Sequence, residues 1–380
     1  MKILCVDIGT GTQDIFLYDS RLDVENGFKL VVPSPTMMVL RRLQAATRQG
    51  TAVALDGLTM GGGPSQWAAE AHLRAGYTVY ATPAAARSFN DDLDVIREMG
   101  ITLLSEDELA ALPPEVVRLS LRDFDFEKIA RALAEFGVSL ADLTAVAVGV
   151  FDHGQAPPDY SDRLFRFDYI RQRLQVQNRL SAFAYRAADV PASLTRLQAV
   201  IQAARQVDAP LVVMDTAPAA VLGATLDTAV HARPRVLVAN VGNLHTLAFR
   251  LGSTGVEGVF EHHTGLLDRP KLDDLLQRLA DGTLRHEAIY EDQGHGAYIP
   301  YREPLPLPKD DFGVAVTGPR RSLLVGSALR PYFATPFGDM MLTGCFGLLA
   351  AAADHLPDLA QPIRASLFGV SHTGLAPWDV

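Results

Sequence analysis

Two groups of residues in this chain are spaced for chemistry: an acid that leads into a small-residue turn, and histidines set beside carboxylates. Asp7 ends the apolar run Ile3-Leu4-Cys5-Val6 and is followed by Ile8-Gly9-Thr10-Gly11-Thr12-Gln13-Asp14. Glycine at a turn tip accepts positive φ and lets a ligand approach the backbone. Successive N–H groups in such a turn form an anion-binding concavity, and Thr hydroxyls add donors. An acid at the end of a buried strand can hold a divalent cation, usually through water. Together these features suit a nucleotide phosphate with its magnesium. An ordinary hairpin turn is the other reading of the same residues.

Asp152-His153-Gly154 follows the apolar run 145–151, at the strand end where α/β proteins commonly bind ligands. Asp152 can orient a water or bind metal, and His153 can move a proton near neutral pH. Alternatively the trio is a polar loop that caps the next element. Glu261-His262-His263-Thr264-Gly265 and Gly294-His295-Gly296 hold further candidates. On an extended segment neighbouring side chains point to opposite faces. Glu261 and His263 would then share a face and could ligate one ion, with His295 as a third ligand or an acid. The spacing fits no standard zinc pattern. Taken singly these histidines read as structural; as a set they read as phosphate and substrate contacts. Thr59 to Gly63, before Pro64, lacks the Lys of a phosphate loop and reads as a plain turn rather than an anion cradle. Arg87, Asp91 and Asp92 read as one polar helix face. Arg320-Arg321 is either an exposed basic pair or a contact to base or phosphate.

An alternating scaffold must position these groups. Strands are expected near 3–6, 15–18, 30–33, 52–56, 77–81, 101–104, 145–151, 211–215, 236–240, 246–250 and 314–318. Helices are expected near 35–48, 64–75, 84–99, 126–136, 197–206, 217–226, 272–279 and 340–353. The segment 157–196, rich in Arg, Gln and Asp, is expected as loop and helix around the mouth of a cleft. The alternation predicts an α/β fold. The chain has 380 residues, 48% of them hydrophobic and 21% charged, enough for a large core and two or three domains. A net charge of −10 disfavours nucleic acid and anionic membrane as partners. No signal peptide is expected at the start and no bilayer-spanning run within. Two cysteines, Cys5 and Cys345, both in apolar surroundings, read as buried thiols and predict a cytoplasmic protein.

Five segments resemble, in order, the motifs of the superfamily of actin, sugar kinases and heat-shock chaperone ATPases. Asp7 to Thr12 resembles its first phosphate loop, and Asp215-Thr216-Ala217-Pro218-Ala219-Ala220 its first connecting helix. Asn240-Val241-Gly242-Asn243-Leu244-His245-Thr246 is similar to the second phosphate loop. Val314 to Pro319 resembles the adenosine loop, and Gly338 to Gly347 the second connecting helix. The resemblance implies a two-lobed actin-like ATPase fold with duplicated ribonuclease H-like cores, the lobes hinged on small-residue helices. It implies a first lobe over 1–228, a second over 229–336, and a segment 337–380 that returns to the first. It also implies bound ATP and Mg2+, with Asp7 holding the metal. Phosphates would meet Gly9, Thr10, Gly11, Thr12 and Gln13 on one side and Asn240, Gly242, Asn243, His245 and Thr246 on the other. Thr317 and Gly318 would meet the adenosine. The sequence departs from the pattern at Asn240, where an acid is usual, at Asn243 and Leu244, where Gly is usual, and at Pro319, which replaces a second Gly.

The segments around Asp152-His153, 261–265 and 294–296 also resemble a narrower family labelled "putative pyruvate formate-lyase activating enzyme". A radical activase of that kind needs a cluster of three cysteines, and two cysteines 340 positions apart do not provide it. Three functions are thus expected in order: an ATP-dependent phosphotransferase or ATPase with an unknown small-molecule or protein acceptor, activated by Asp152 or His153; a nucleotide-binding regulatory or scaffold protein without turnover; and a metal-assisted hydrolase using the histidines.

Overall fold

The computed structural model describes residues 1–369, 375 and 377–379. Of the segment 337–380, residues 370–374, 376 and 380 lie outside the described residues. The chain opens with β1 (Lys2–Ile8), β2 (Thr12–Asp19) and β3 (Phe28–Pro33), each antiparallel to the next. It then leaves this sheet to build a second, all-parallel one from β4 (Val53–Gly57), β5 (Val79–Ala81), β6 (Thr102–Leu103) and β7 (Val117–Leu121), in the order β6-β5-β4-β7. The first sheet resumes with β8 (Leu143–Val150), β9 (Ala184–Arg186) and β10 (Leu211–Asp215), giving the order β3-β2-β1-β8-β10-β9. A third sheet contains β11 (Val236–Val241), β12 (His245–Gly252), β13 (Gly255–His263), β14 (Gly296–Tyr298), β15 (Val314–Thr317) and β16 (Pro331–Phe333), in the order β14-β13-β12-β11-β15-β16.

Without the edge strands β9 and β14, the two six-stranded sheets share one plan. The third, second, first, fourth and fifth strands lie side by side, and only the second runs against its neighbours. This is the duplicated ribonuclease H-like core of a two-lobed actin-like fold. β1 is apolar from Ile3 to Val6 because both its faces are covered. Ile3 and Cys5 join Phe16 and Tyr18 in a core that continues into Val238 and Phe249 of the other lobe. Leu4, Val6 and Ile8 pack on the opposite face against Phe124, Ile129 and Leu197.

Two helices tie the lobes together. Thr216–Ala224 leaves β10 of the first lobe and lies against β11 and β15 of the second. Thr343–His355 follows the second lobe and lies against β1 and β8 of the first. They cross backbone to backbone: a Cβ on Gly223 would lie 1.7 Å from the Thr343 carbonyl oxygen, and one on Gly347 1.8 Å from that of Ala219.

Residues 1–228 contain two sheets, because 53–121 form the inserted parallel one. The structure corrects several expectations about single elements. The helix expected over 84–99 is two short helices, Pro83–Ala86 and Leu93–Glu98. Between them Asn90 Oδ1 accepts the Asp92 amide and Asp92 Oδ1 accepts that of Asp94, both at 2.8 Å. These side chains compete with the helical ladder. Arg87, Asp91 and Asp92 therefore occupy a turn, not one helix face. β7 and the nine-residue β13 were not expected, since the Gly and Glu of β13 mask its alternation. No helix among the described residues is long and apolar enough to cross a membrane.

Candidate functional site

The two hairpin turns face each other across a cavity of about 800 Å³ between the lobes. A shared backbone device shapes them. Gly9 N–H donates to the Thr12 carbonyl at 2.9 Å, and Gly242 N–H to the His245 carbonyl at 3.0 Å. They also approach closely, since a Cβ on Gly11 would sit 3.0 Å from Asn243 Nδ2. Ser34 ties down the first turn by donating to the carbonyls of Thr10 and Gly11, at 2.6 and 3.1 Å. Among the described residues, the N–H groups of Thr10 and Gly11 donate to no protein acceptor. Asp7, Asn240, Thr317 and Gly318 line the same cavity. Gly318 has φ +97°, and a Cβ there would lie 2.5 Å from the Val241 carbonyl oxygen.

Asp7 is held from three sides. Its Oδ1 accepts the Thr216 hydroxyl at 2.5 Å, and the backbones of Gly149 and Gly344 pack against its carboxylate. Asp14 stands opposite Asp7 in the hairpin register and also lines the cavity. Burial raises the Asp7 pKa to about 7, despite the Thr216 bond that lowers it. Burial and then the charge of Asp7 raise Asp14 to about 8. Asp14 Oδ1 is buried and has no partner. A hard divalent cation fits this pair, because it would supply the positive charge that both acids lack and a partner for Asp14 Oδ1.

Two residues assigned to phosphate binding do not line the cavity. Strand alternation places Asp14 beside Asp7 and turns Gln13 away, where its Nε2 donates to Pro33 O at 3.2 Å. Likewise His245 faces the cleft while Thr246 is buried against Thr264, 2.9 Å between hydroxyls. Asp152 also has a local job. Its two carboxylate oxygens accept the amides of Gly154 and Leu197, each at 2.8 Å, so it staples the loop to the helix Thr195–Ala203. His153 is exposed in the cleft, its Nδ1 2.9 Å from its neighbour Gly154 O. The inserted sheet sends Thr59–Gly63 and Arg87–Asp92 to the cavity from the carboxyl ends of β4 and β5. Arg320 and Arg321 do not line it, whereas Pro319 does.

Beneath the cleft lies a buried ionic network. Arg166, on the helix Asp162–Val176, is fully buried and pairs with Asp215 of the first lobe and Glu261 of the second. It also donates to Asp152 O at 3.0 Å and sits 4.5 Å from the centre of the Phe151 ring. Burial would raise the Glu261 pKa; Arg166, His295 and His245 more than offset this and hold it well below the usual range. Glu261 Oε1 lies 3.0 Å from His245 Nδ1. His245, His263 and His295 form a triangle, with ring centres 5.0, 4.9 and 4.7 Å apart. Burial, and then the neighbouring His245, lower His263 to about 4. Burial lowers His295 to about 3 despite the pull of Glu261. The segment 261–263 is the end of β13, so His262 points the other way, to Asp292 at 3.1 Å. It takes no part in the cluster.

Three residues that the sequence did not single out stand at the site: Asp14 and Thr216 in the cavity wall and Arg166 beneath it. Asp14 was findable by counting the hairpin register from Asp7. Arg166 carried no signal, because a buried arginine cannot be told from a solvated one in a polar segment.

No curated protein matches the chain. Among solved structures, a ROK hexokinase from Thermus thermophilus is similar at 13% identity and TM-score 0.23, over 67% of this chain. The chain spans about half (47%) of that hexokinase. An exopolyphosphatase-like protein is similar at 10% identity and TM-score 0.29, over 97% of this chain and 92% of its own. A family profile matches residues 60–323. On that match the chain belongs to the family described as "Putative pyruvate format-lyase activating enzyme (DUF1786)".

Proposed function

We propose that this protein binds Mg-ATP between its lobes and transfers or hydrolyses the terminal phosphoryl group. The observation that carries the reading is the pair of equivalent turns, 9–12 and 242–245, meeting across a cavity that also holds the Asp7–Asp14 pair. A bound magnesium supplies neutralisation of the phosphate oxygens. Asp7 and Asp14 would hold it, and Thr216 keeps Asp7 aimed. The N–H groups of Thr10 and Gly11 and the second turn would cradle the phosphates, with Thr317 and Gly318 at the adenosine end. His153 is the remaining candidate base toward an acceptor, which is a small molecule, a protein hydroxyl or water. Asp152 would act by fixing the loop that carries it. Transfer of this kind needs positioning and charge stabilisation rather than covalent catalysis. No nucleic acid or membrane partner goes with the reading, given the net charge of −10. Cytoplasmic ATP and reduced thiols do. The activase description gains no support from two cysteines, both buried and free.

One observation favours a second reading, nucleotide binding without turnover: Asn240 puts an amide where relatives in the superfamily carry an acid. Calorimetry with ATP and ADP, with and without magnesium, followed by a phosphate-release assay, separates the two. Tight Mg-ATP binding with release supports hydrolysis, binding with ADP formed only when an acceptor is added supports transfer, and binding with neither supports the regulatory reading. No binding overturns both. Asp7→Ala is expected to weaken Mg-ATP by about ten- to a hundred-fold, the worth of one charge-assisted contact. Asn240→Asp is expected to raise phosphate release.

A further inference from the structure

We propose that His245, His263 and His295 bind a divalent first-row transition-metal ion, with Glu261 as the carboxylate that orients the first of them. The three rings come from separate places in the chain: the start of β12, the end of β13, and the residue before β14. Each offers a nitrogen within 4.8 Å of the other two. Zinc–nitrogen bonds of about 2.0–2.1 Å in a tetrahedron put such nitrogens about 3.4 Å apart. Each ring therefore needs to move inward by less than about 1 Å.

Two further observations point to an ion rather than to packing. His295 is 3% exposed, and its Nδ1 has no hydrogen-bond partner. Buried nitrogens of that kind are rarely left orphaned. His245 Nδ1 is engaged by Glu261 Oε1, which frees its Nε2 as the ligating atom. A carboxylate behind a histidine is the usual outer support of a metal ligand. Glu261 cannot swing away, because its other oxygen is held by Arg166 Nε at 3.0 Å. Arg166 is in turn paired with Asp215. The cluster also holds two carboxylates, Asp215 and Glu261, against one guanidinium, a surplus of negative charge that a cation would offset.

An all-imidazole set selects zinc, cobalt, nickel, copper or iron over magnesium, which prefers oxygen ligands. The site is therefore separate from the Asp7–Asp14 pair and does not rest on the nucleotide reading. Because His245 lines the cavity, the ion would stand in the cleft wall beside the second phosphate turn. Three protein ligands leave it a position for water or substrate.

The test uses the full chain stripped of metal with a chelator, titrated with ZnCl2 by calorimetry and with CoCl2 by visible absorption. The expected result is one zinc per chain, the intense absorption of tetrahedral cobalt, and no competition from excess magnesium. His263→Ala, at a half-buried position, is expected to weaken zinc by about a hundred-fold or more while circular dichroism stays unchanged. Glu261→Gln is expected to weaken it by about 10–100-fold. Absence of the cobalt absorption in the wild-type chain, or unchanged zinc affinity in a folded His263→Ala, overturns the proposal. ATP titration of the zinc-free chain is read separately, so failure of one site does not count against the other.

Discussion

Asp7 and Asp14 face each other across one hairpin, and both are pushed up by burial, to about 7 and 8. A carboxyl whose pKa is raised on folding holds its proton more tightly in the native state than in the unfolded chain. Its contribution to stability is full below the unfolded value near 3.8 and is lost as pH rises toward about 7–8. In magnesium-free buffer the chain should thus lose stability across that window, and Asp14→Asn should lose less of it. Denaturation midpoints between pH 4 and 8 check this; parallel curves for the two proteins would contradict it. Gly344 makes a second residue-scale prediction. A Cβ there would lie 1.8 Å from Asp7 Oδ2, so Gly344→Ala should displace the carboxylate. Magnesium-dependent ATP binding should drop by about ten-fold or more, as calorimetry would show. Asp7 was legible from sequence because an acid, a small-residue turn and an apolar strand sit in one short run. Gln13 and Thr246 were misread because strand alternation turns them from the ligand side. The histidine triangle was only half visible, since it joins residues 18 and 32 positions apart through strand pairing that spacing alone does not reveal.

The helices Thr216–Ala224 and Thr343–His355 act as the axle between the lobes. Alanine is favoured over glycine within a helix by about 1 kcal/mol. At Gly223 and Gly347 that gain is outweighed, because the added methyl would press on backbone carbonyls that have no rotamer to change. Gly347→Ala should cost about 3 kcal/mol, the upper range for overpacking, read from urea denaturation. A neutral or stabilising effect would mean that the helices are free to separate. These helices stood out in the sequence through their runs of Ala and Gly. The inserted sheet did not. Its strands were mostly recognised, yet nothing local in 53–121 says that they pair with each other rather than with β1. The polar turn 87–92 was hidden by helix-forming neighbours on both sides.

Across the whole molecule, two copies of one sheet plan bring matching turns together, and the buried Arg166 helps to fasten the halves beneath them. Arg166 links Asp215 to Glu261 across the lobes. Removing one member of a buried ion pair leaves a stranded charge and costs about 3–5 kcal/mol. Arg166→Met strands two carboxylates and should reach at least that range in chemical denaturation. A loss below about 1 kcal/mol, the level of a surface pair, would show that the link does not fasten the lobes. The paired turns themselves are tested most directly by crystals grown with magnesium and a non-hydrolysable ATP analogue. The expected density shows the triphosphate held between residues 9–12 and 242–245, with the cation next to Asp7 and Asp14. A nucleotide bound elsewhere, or a triphosphate touching only one of the two turns, would contradict the proposed site.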